Sequence, residues 1–547
     1  MTRFYKKLTV VVSLILVIGL SAFTNNYFEI SKNLEIFATL YKELNMYYVD
    51  ETQPGELMKT GIDAMLKSLD PYTTYIPESK IEDYRFMTTG QYGGIGALIR
   101  KVDSTLYIAE PYENFPAFKA GLKAGDRLVS IDDKSIVGKS TDEISELLRG
   151  QAGTSLTVSY YKNGSNELSN ATITREEIKV PDVPYFGKID NEIGYIKLNG
   201  FHETASKEVK EALLNLRDNQ GAKKIILDLR GNGGGLLREA VRIVNLFVPK
   251  GQLIVKTKGK TDNWNKDHIA FEQAVDIEIP LIVFIDGGSA SASEIVSGAL
   301  QDLDRAVIIG EESFGKGLVQ QTHDLYYNSK LKLTVAKYYI PSGRCIQRLD
   351  YTNRAENGKV NDVPDENLKT FKTKNGREVK DGRGIFPDVT VETEPFANIV
   401  GGLANNSIFF RYANSYVTKH PKIEDAKSFK VDDQTYAEFC EFLKSHEYDY
   451  ETQTANMVNK LASVSKEEAY YEQVKPELEK LQAIFSQQKI TDLTLFKDDI
   501  KEVLANEIVS RYAYQKGRIE NALFQDPYLD TAKVYFASNK HQAILNP

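Results

Sequence analysis

Two glycine-rich turns and one isolated lysine hold the residue types that could do chemistry in this chain. Gly287 to Glu294 reads G-G-S-A-S-A-S-E and follows the apolar run Pro280 to Asp286. Small residues at a strand-to-helix turn let a polypeptide backbone come close, and a serine there is a candidate nucleophile. A serine opening a helix is equally a cap, although three alternating serines cannot all be caps. Asp228 to Gly235, D-L-R-G-N-G-G-G, lies between a second apolar run and an amphipathic stretch. Its glycines would let backbone N–H groups face an anion beside a helix N-terminus. They would also simply make a tight turn. This stretch has neither the Walker lysine nor the G-x-G-x-x-G spacing. The serine block does not form a G-x-S-x-G elbow.

A serine nucleophile needs a base. The chain has six histidines, His202, His268, His323, His420, His446 and His541, and none stands in a motif that suggests a triad. Lysine is the alternative activator. It must be neutral to accept a proton, so it must be desolvated or set among apolar neighbours. Lys316, in S-F-G-K-G-L-V-Q, is flanked by glycines and by Phe314, Leu318 and Val319. The bland reading of the same residue is a loop lysine.

Hydrophobic patterning supplies the elements that must position these groups. Leu34, Phe37, Leu40, Tyr41 and Leu44 recur at helical steps, and a second helix is expected over Glu56 to Leu69, ending at Asp70-Pro71. From Gly90 the texture changes to short strands and glycine turns. Leu106 to Ile108 and Ser155 to Tyr161 read as strands and Thr141 to Leu148 as a helix, giving a compact α+β module of about 90 residues. Between Asn191 and Val391 strands alternate with helices. The strands are Gly194–Leu198, Lys224–Leu229, Pro280–Asp286 and Ala306–Ile309. The helices are Ser206–Leu216, Leu236–Phe247 and Ser291–Leu300. Continuously apolar strands in such alternation predict an α/β core with largely parallel pairing. Beyond Pro395 apolar residues recur at helical steps to the end, with no catalytic constellation among them.

The bulk properties narrow the function. The 547 residues require several domains. A hydrophobic fraction of 42% and a charged fraction of 26% are those of a soluble globular protein. A net charge of −8 gives no reason to expect nucleic acid. Two cysteines, Cys345 and Cys440, exclude a disulfide framework and a cysteine-rich zinc site. Arg3, Lys6 and Lys7 precede an apolar run from Leu8 to Phe23, the pattern of an export segment, either cleaved or kept as a membrane anchor. Both routes place the rest of the chain on the periplasmic side of the cell envelope, with the basic residues left on the cytoplasmic side.

Taken in order, these blocks resemble the carboxyl-terminal processing (tail-specific) serine peptidases. The resemblance covers about Phe37 to Val391. It is carried by L-D-P-Y-T-T-Y-I, G-Q-Y-G-G-I-G-A, A-G-L-K-A-G-D, D-L-R-G-N-G-G-G, G-S-A-S-A-S-E-I, F-G-K-G-L-V-Q and P-S-G-R. The resemblance implies a crotonase-like core carrying an inserted PDZ domain. It maps the nucleophile onto Ser291 and the general base onto Lys316, twenty-five residues later. Gln320, one helical turn further on, would orient the lysine. The oxyanion hole would combine the Ala292 N–H with that of Gly233 or Gly234. Cys345 departs from the family, which more often has serine there, and leaves the dyad untouched.

The expected organisation is therefore an export segment over 1–25, a helical region over 26–88, a PDZ domain over 89–176, a peptidase core over 177–395 and a helical region over 396–547. Tyr92, Gly93, Gly94, Ile95 and Gly96 would form a nest of backbone donors for a carboxylate, and Ala97 to Arg100 would pair with an extended tail. The expected partners are protein or peptide substrates with free C-termini, and no metal or organic cofactor is needed. An oligomer or an activating partner is compatible with the chain. A non-catalytic PDZ scaffold would predict loss of Ser291 or Lys316, and both are present. A crotonase-like acyl-thioester enzyme would need neither a PDZ module nor an export segment.

Overall fold

The computed structural model describes residues 27–546 apart from 355–359, 393–395, 449, 451 and 539. The expected export segment lies outside the described residues. Among those described, no helix is long and apolar enough to cross a membrane.

The chain divides into two units. The first takes in the described residues up to Ile76 together with Thr322–Leu333. It contains a helix over 27–47 and a second over Pro54–Lys67, which starts on a proline at a position where no N–H is needed. The Asp70 carboxylate then accepts from the N–H groups of Tyr72 and Thr73 at 2.8 and 2.7 Å, turning the chain into the short strand Thr74–Ile76. That strand pairs antiparallel with residues 330–332. The periodic apolar residues Leu34, Phe37, Leu40 and Leu44 do form a helix, but they are exposed.

The second unit, Pro77–Gln321 with Thr334–Pro547, holds three layers of interest. In its first part, strands Ala97–Val102, Thr105–Pro111, Arg127–Ile131, Ser155–Tyr161 and Leu168–Thr174 lie in that order and pair antiparallel. Helix Thr141–Leu148 starts with a reciprocal cap. Ser140 N–H donates to Glu143 at 2.7 Å, and Glu143 N–H donates to the Ser140 hydroxyl at 3.2 Å. Ile144 and Leu148 pack into a core with Ile108, Leu128, Val158 and Ile173.

The central sheet runs Tyr185–Lys188, Ile193–Lys197, Lys224–Asp228, Leu281–Ile285, Val307–Gly310, Val389–Thr390. All pairs are parallel except the first. Helices Ala205–Leu214, Leu237–Asn245 and Ala292–Asp302 cover one face, with Val209, Ile243 and Ile295 meeting Leu227, Val283 and Ile308. The other face, Tyr195, Ile226, Ile282, Phe284 and Ile309, is covered by Leu523, Tyr528, Leu529, Ala532 and Phe536 from the C-terminal helices. Parallel sheets are buried on both sides, and the helical C-terminus supplies the second cover.

Candidate active site

Three serines stand where strand Leu281–Ile285 leads into helix Ala292–Asp302, Ser289 and Ser291 before the helix and Ser293 in its first turn. Two are fully buried and bonded to backbone. Ser289 Oγ donates to the Leu229 carbonyl at 2.9 Å, and Ser293 Oγ to the Asn232 carbonyl at 2.8 Å. Both tie this turn to the Asp228–Gly235 loop. Ser291 is only half-buried, and it occupies the N-cap with φ 57° and ψ −109°. That conformation is sparsely populated for a residue with a Cβ and costs of order 1–3 kcal/mol, so surrounding contacts must hold it.

Those contacts converge on Glu294. Its carboxylate is fully buried and accepts four hydrogen bonds: from Ser291 N–H at 2.7 Å, Lys316 N–H at 2.9 Å, Gly315 N–H at 2.7 Å and the Ser313 hydroxyl at 2.6 Å. The first two share one oxygen. Burial pushes the carboxyl up to about 7, against the four donors that favour its charged form. Gly384 is required beside it, with φ +77°, because a Cβ there would lie 2.5 Å from Ser313 Oγ and 3.0 Å from the Glu294 carboxylate. The Tyr338 hydroxyl, itself buried, lies 3.1 Å from the Ser291 carbonyl and also hydrogen-bonds the Lys316 carbonyl. The backbones of Ser291 and Lys316 are thus held from two sides by Glu294 and Tyr338. Sequence reasoning assigned neither residue. The S-x-x-E spacing from Ser291 is the signal that could have singled out Glu294. For Tyr338 the sequence has no signal.

Gln320 does not follow Lys316 by a helical turn. It lies on the extended strand Leu318–Asp324, where its Nε2 donates to Thr334 Oγ1 at 3.2 Å. Pairing with the Lys330–Tyr339 strand overrides the helical spacing.

The glycine loop meets the serine turn from the other side. A Cβ on Gly234, at φ +99°, would come within 2.9 Å of the Ala292 nitrogen and of Ser291 Cβ, so glycine alone allows this approach. Gly234 N–H is committed to Asn232 Oδ1 at 2.9 Å. Gly233 N–H has no hydrogen-bond acceptor among the described residues, and the position is exposed. Ala292 is the first residue of its helix, where an N–H has no carbonyl partner within the helix. Among the described residues no group of three or more His, Cys, Asp or Glu side chains is placed to hold a metal ion.

In the α+β module, Tyr92 to Gly94 do not lie in a loop. Gln91–Gly94 is a strand paired antiparallel with Glu176–Lys179. The Tyr92 ring packs edge-on against Phe86 at 5.5 Å and under the Arg149 guanidinium at 5.2 Å, and burial raises its hydroxyl well above the usual tyrosine value. Ile95 and Gly96 remain as the turn, with Gly96 at φ +71°, leading into Ala97–Val102. That strand is at the sheet edge, so one row of its backbone groups is unpaired within the sheet.

Sequence comparisons place these features in a known family. The model of peptidase family S41 matches residues 192–353, that of the PDZ domain residues 107–161, and that of the C-terminal helical domain of probable PDZ-proteases residues 399–536. The chain is 38% identical over 344 residues to the carboxy-terminal-processing protease of Bartonella bacilliformis, covering 62% of this chain and 78% of that one. The chain belongs to peptidase family S41. The peptidase is also 34% identical over 407 residues to a probable CtpA-like serine protease of Staphylococcus aureus, covering 74% of each chain. Among solved structures, the photosystem II D1 C-terminal processing protease is 26% identical, with a TM-score of 0.36, covering 66% of this chain and 93% of that one. The peptidase is a serine-type hydrolase with a PDZ domain and a C-terminal helical domain.

Proposed function

We propose that the peptidase cleaves protein substrates captured by their C-terminal tails, using Ser291 as nucleophile and Lys316 as general base. The supporting observation is the shared Glu294 oxygen. It accepts from Ser291 N–H and Lys316 N–H at 2.7 and 2.9 Å, holding the two backbones side by side across twenty-five residues of sequence. Neutral Lys316 takes the Ser291 hydroxyl proton as Oγ attacks the scissile carbonyl. The Ala292 and Gly233 N–H groups receive the oxyanion, in preference to Gly234, whose N–H is already used. Each such donor contributes about 3–4 kcal/mol in comparable hydrolases. The tetrahedral intermediate collapses, the Lys316 ammonium returns its proton to the leaving amine, and water hydrolyses the acyl-enzyme. Gln320 is read as orienting the Lys316 side chain from the neighbouring strand.

The PDZ domain would select substrates. The edge strand Ala97–Val102 can take an incoming tail as a further strand, and the Ile95–Gly96 turn at its start offers backbone N–H groups to the terminal carboxylate. The relatives' names as carboxy-terminal-processing proteases agree with this reading. We read the parallel sheet with its three crossover helices as crotonase-like. The basic start and apolar run of the first twenty-three residues are read as an export segment that delivers the peptidase to the periplasmic side of the envelope. The test is incubation of the purified full chain with an unfolded casein, beside Ser291→Ala. Cleavage by the wild type alone supports the reading, and equal cleavage by the variant overturns it.

A further inference from the structure

The Asp228–Gly235 loop is gripped from outside the peptidase core. Asp228, fully buried at the end of its strand, receives Tyr195 OH at 2.6 Å, Lys197 Nζ at 3.2 Å, Arg230 N–H at 2.8 Å, and Arg230 Nη2 at 2.6 Å. The other side of the Arg230 guanidinium meets Asp526 in a two-pronged pair, Nη1 to Oδ1 at 3.1 Å and Nη2 to Oδ2 at 2.6 Å. Asp526 lies in the C-terminal helical domain, 296 residues away in sequence. It is 8% exposed, and it caps the helix Pro527–Ala537 by accepting from Tyr528 N–H at 2.9 Å. The guanidinium also lies against a pair of rings that pack edge-on to each other, Phe284, 5.1 Å from its ring centre, and Tyr528, at 4.5 Å. Arg230 is followed at once by Gly231, Asn232 and Gly233. Arg230 stands three residues before Gly233 in the same loop, so its position bears on where that peptide group lies.

We infer that Asp526 is a positioning residue for the peptidase reaction: through Arg230 it fixes the loop whose Gly233 N–H faces the reacting carbonyl. The inference rests on the proposed role of that loop as an oxyanion donor. Bidentate arginine–carboxylate pairs fix geometry as well as energy. Asp228 is shared between Arg230 and Lys197, so the second carboxylate completes the charge balance of the cluster and adds orientation from a helix start. The C-terminal domain thereby contributes to the active site without touching substrate.

The experiment uses the full chain as wild type, Asp526→Asn, Asp530→Asn and Ser291→Ala. Asparagine keeps the cap acceptor and removes the charge that holds Arg230. Asp530 is exposed on the same helix, where its only described ion pair is with Lys533. Turnover of a fluorogenic peptide gives kcat and KM, and the rate of Ser291 labelling by a fluorophosphonate reports oxyanion stabilisation without proteolysis. We expect kcat and the labelling rate of Asp526→Asn to fall together, between about tenfold and a hundredfold, since small misplacements of reacting groups have effects of that size. KM and the affinity for a labelled C-terminal peptide should stay within about twofold, and Asp530→Asn should match the wild type. A normal kcat in folded Asp526→Asn, or a change confined to KM, overturns the positioning role. If Asp526→Asn does not fold, Asp526→Ser, also a cap residue, is read by the same split. Activity remaining in Ser291→Ala would remove the underlying reading instead, so the two failures are distinguishable.

Discussion

At the residue scale the site is organised around one buried carboxylate, that of Glu294. Glu294→Gln tests this. Each carboxylate oxygen accepts two donors, and an amide nitrogen in either place would face N–H or O–H groups it cannot satisfy. Unsatisfied buried groups cost about 1–3 kcal/mol each, so we expect kcat to fall at least about tenfold with a modest loss of stability, measured by peptide turnover and urea denaturation. The same residue makes stability depend on pH. Its folded value of about 7 lies above the ordinary carboxyl value of 4.5, so the folded state holds the proton more tightly. The contribution is complete below about pH 4.5 and declines as pH rises to about 7, by about 1.4 kcal/mol for each pH unit. Urea midpoints of the wild type should fall over that window relative to Glu294→Gln, and parallel profiles would contradict the assignment. Activity should run the other way, because a lysine base must be neutral. Lys316→Ala and Ser291→Ala should both abolish turnover, and full wild-type activity at pH 5 on a non-titrating substrate would exclude Lys316 as base. The sequence singles out Ser291 and Lys316 because both sit in short blocks whose order is distinctive, and in the fold their backbone N–H groups meet at one carboxylate oxygen. Glu294 received no assignment, since its bonds to residues 313–316 exist only after the chain has folded.

At the scale of elements, local signals were read closely and non-local ones were not. Helix Thr141–Leu148 and strand Ser155–Tyr161 appear with the bounds the sequence suggests, because a cap box and strict alternation are carried by the residues themselves. Tyr92 to Gly94 looked like loop because glycine is poor in strands. Their strand depends on pairing with residues 176–179, more than eighty positions away. The expected helical turn from Lys316 to Gln320 gives way to a strand that pairs with Lys330–Tyr339. In the function proposed above, the element that carries substrate choice is the edge strand Ala97–Val102 with its preceding turn. A free carboxylate should gain charge-assisted hydrogen bonds from that turn, each about 1.5–3 kcal/mol. Amidating a substrate's C-terminus should therefore weaken capture by roughly ten- to a hundredfold. The check is a rate comparison of matched acid and amide peptides well below saturation, repeated after deletion of Gln91–Lys179. Equal rates on the intact enzyme would remove the tail-capture reading and leave the dyad untouched.

At the scale of the molecule, the C-terminal helices are structural partners of the catalytic sheet. Runs such as K-I-I-L-D-L predicted strands buried on both faces, yet the three crossover helices read from the core sequence all cover one face. The second cover had to come from elsewhere, and the periodic apolar residues beyond Pro395 gave no indication of which surface they would meet. In the fold, Leu529 and Phe536 lie against Tyr195, Ile226 and Phe284, and His541 Nε2 hydrogen-bonds the Leu281 carbonyl at 3.1 Å. Leu529 is 2% exposed, whereas Val534 on the same helix is 54% exposed. Leu529→Ala should cost about 2–5 kcal/mol, the range for buried leucine truncation, while Val534→Ala should stay within about 0.5 kcal/mol. Urea unfolding followed by near-ultraviolet circular dichroism separates the two, because Tyr195, Phe284 and Tyr528 report packing at this face. Removing residues 396–547 should do more than destabilise. It uncovers a contiguous apolar sheet face, which in a soluble chain drives association. The truncated chain should therefore aggregate or lose its fluorophosphonate labelling at Ser291, although the dyad and both glycine-rich turns are intact in sequence. A soluble truncation that labels at the wild-type rate would show that the sheet needs no second cover. It would also show that Arg230 holds its loop without Asp526.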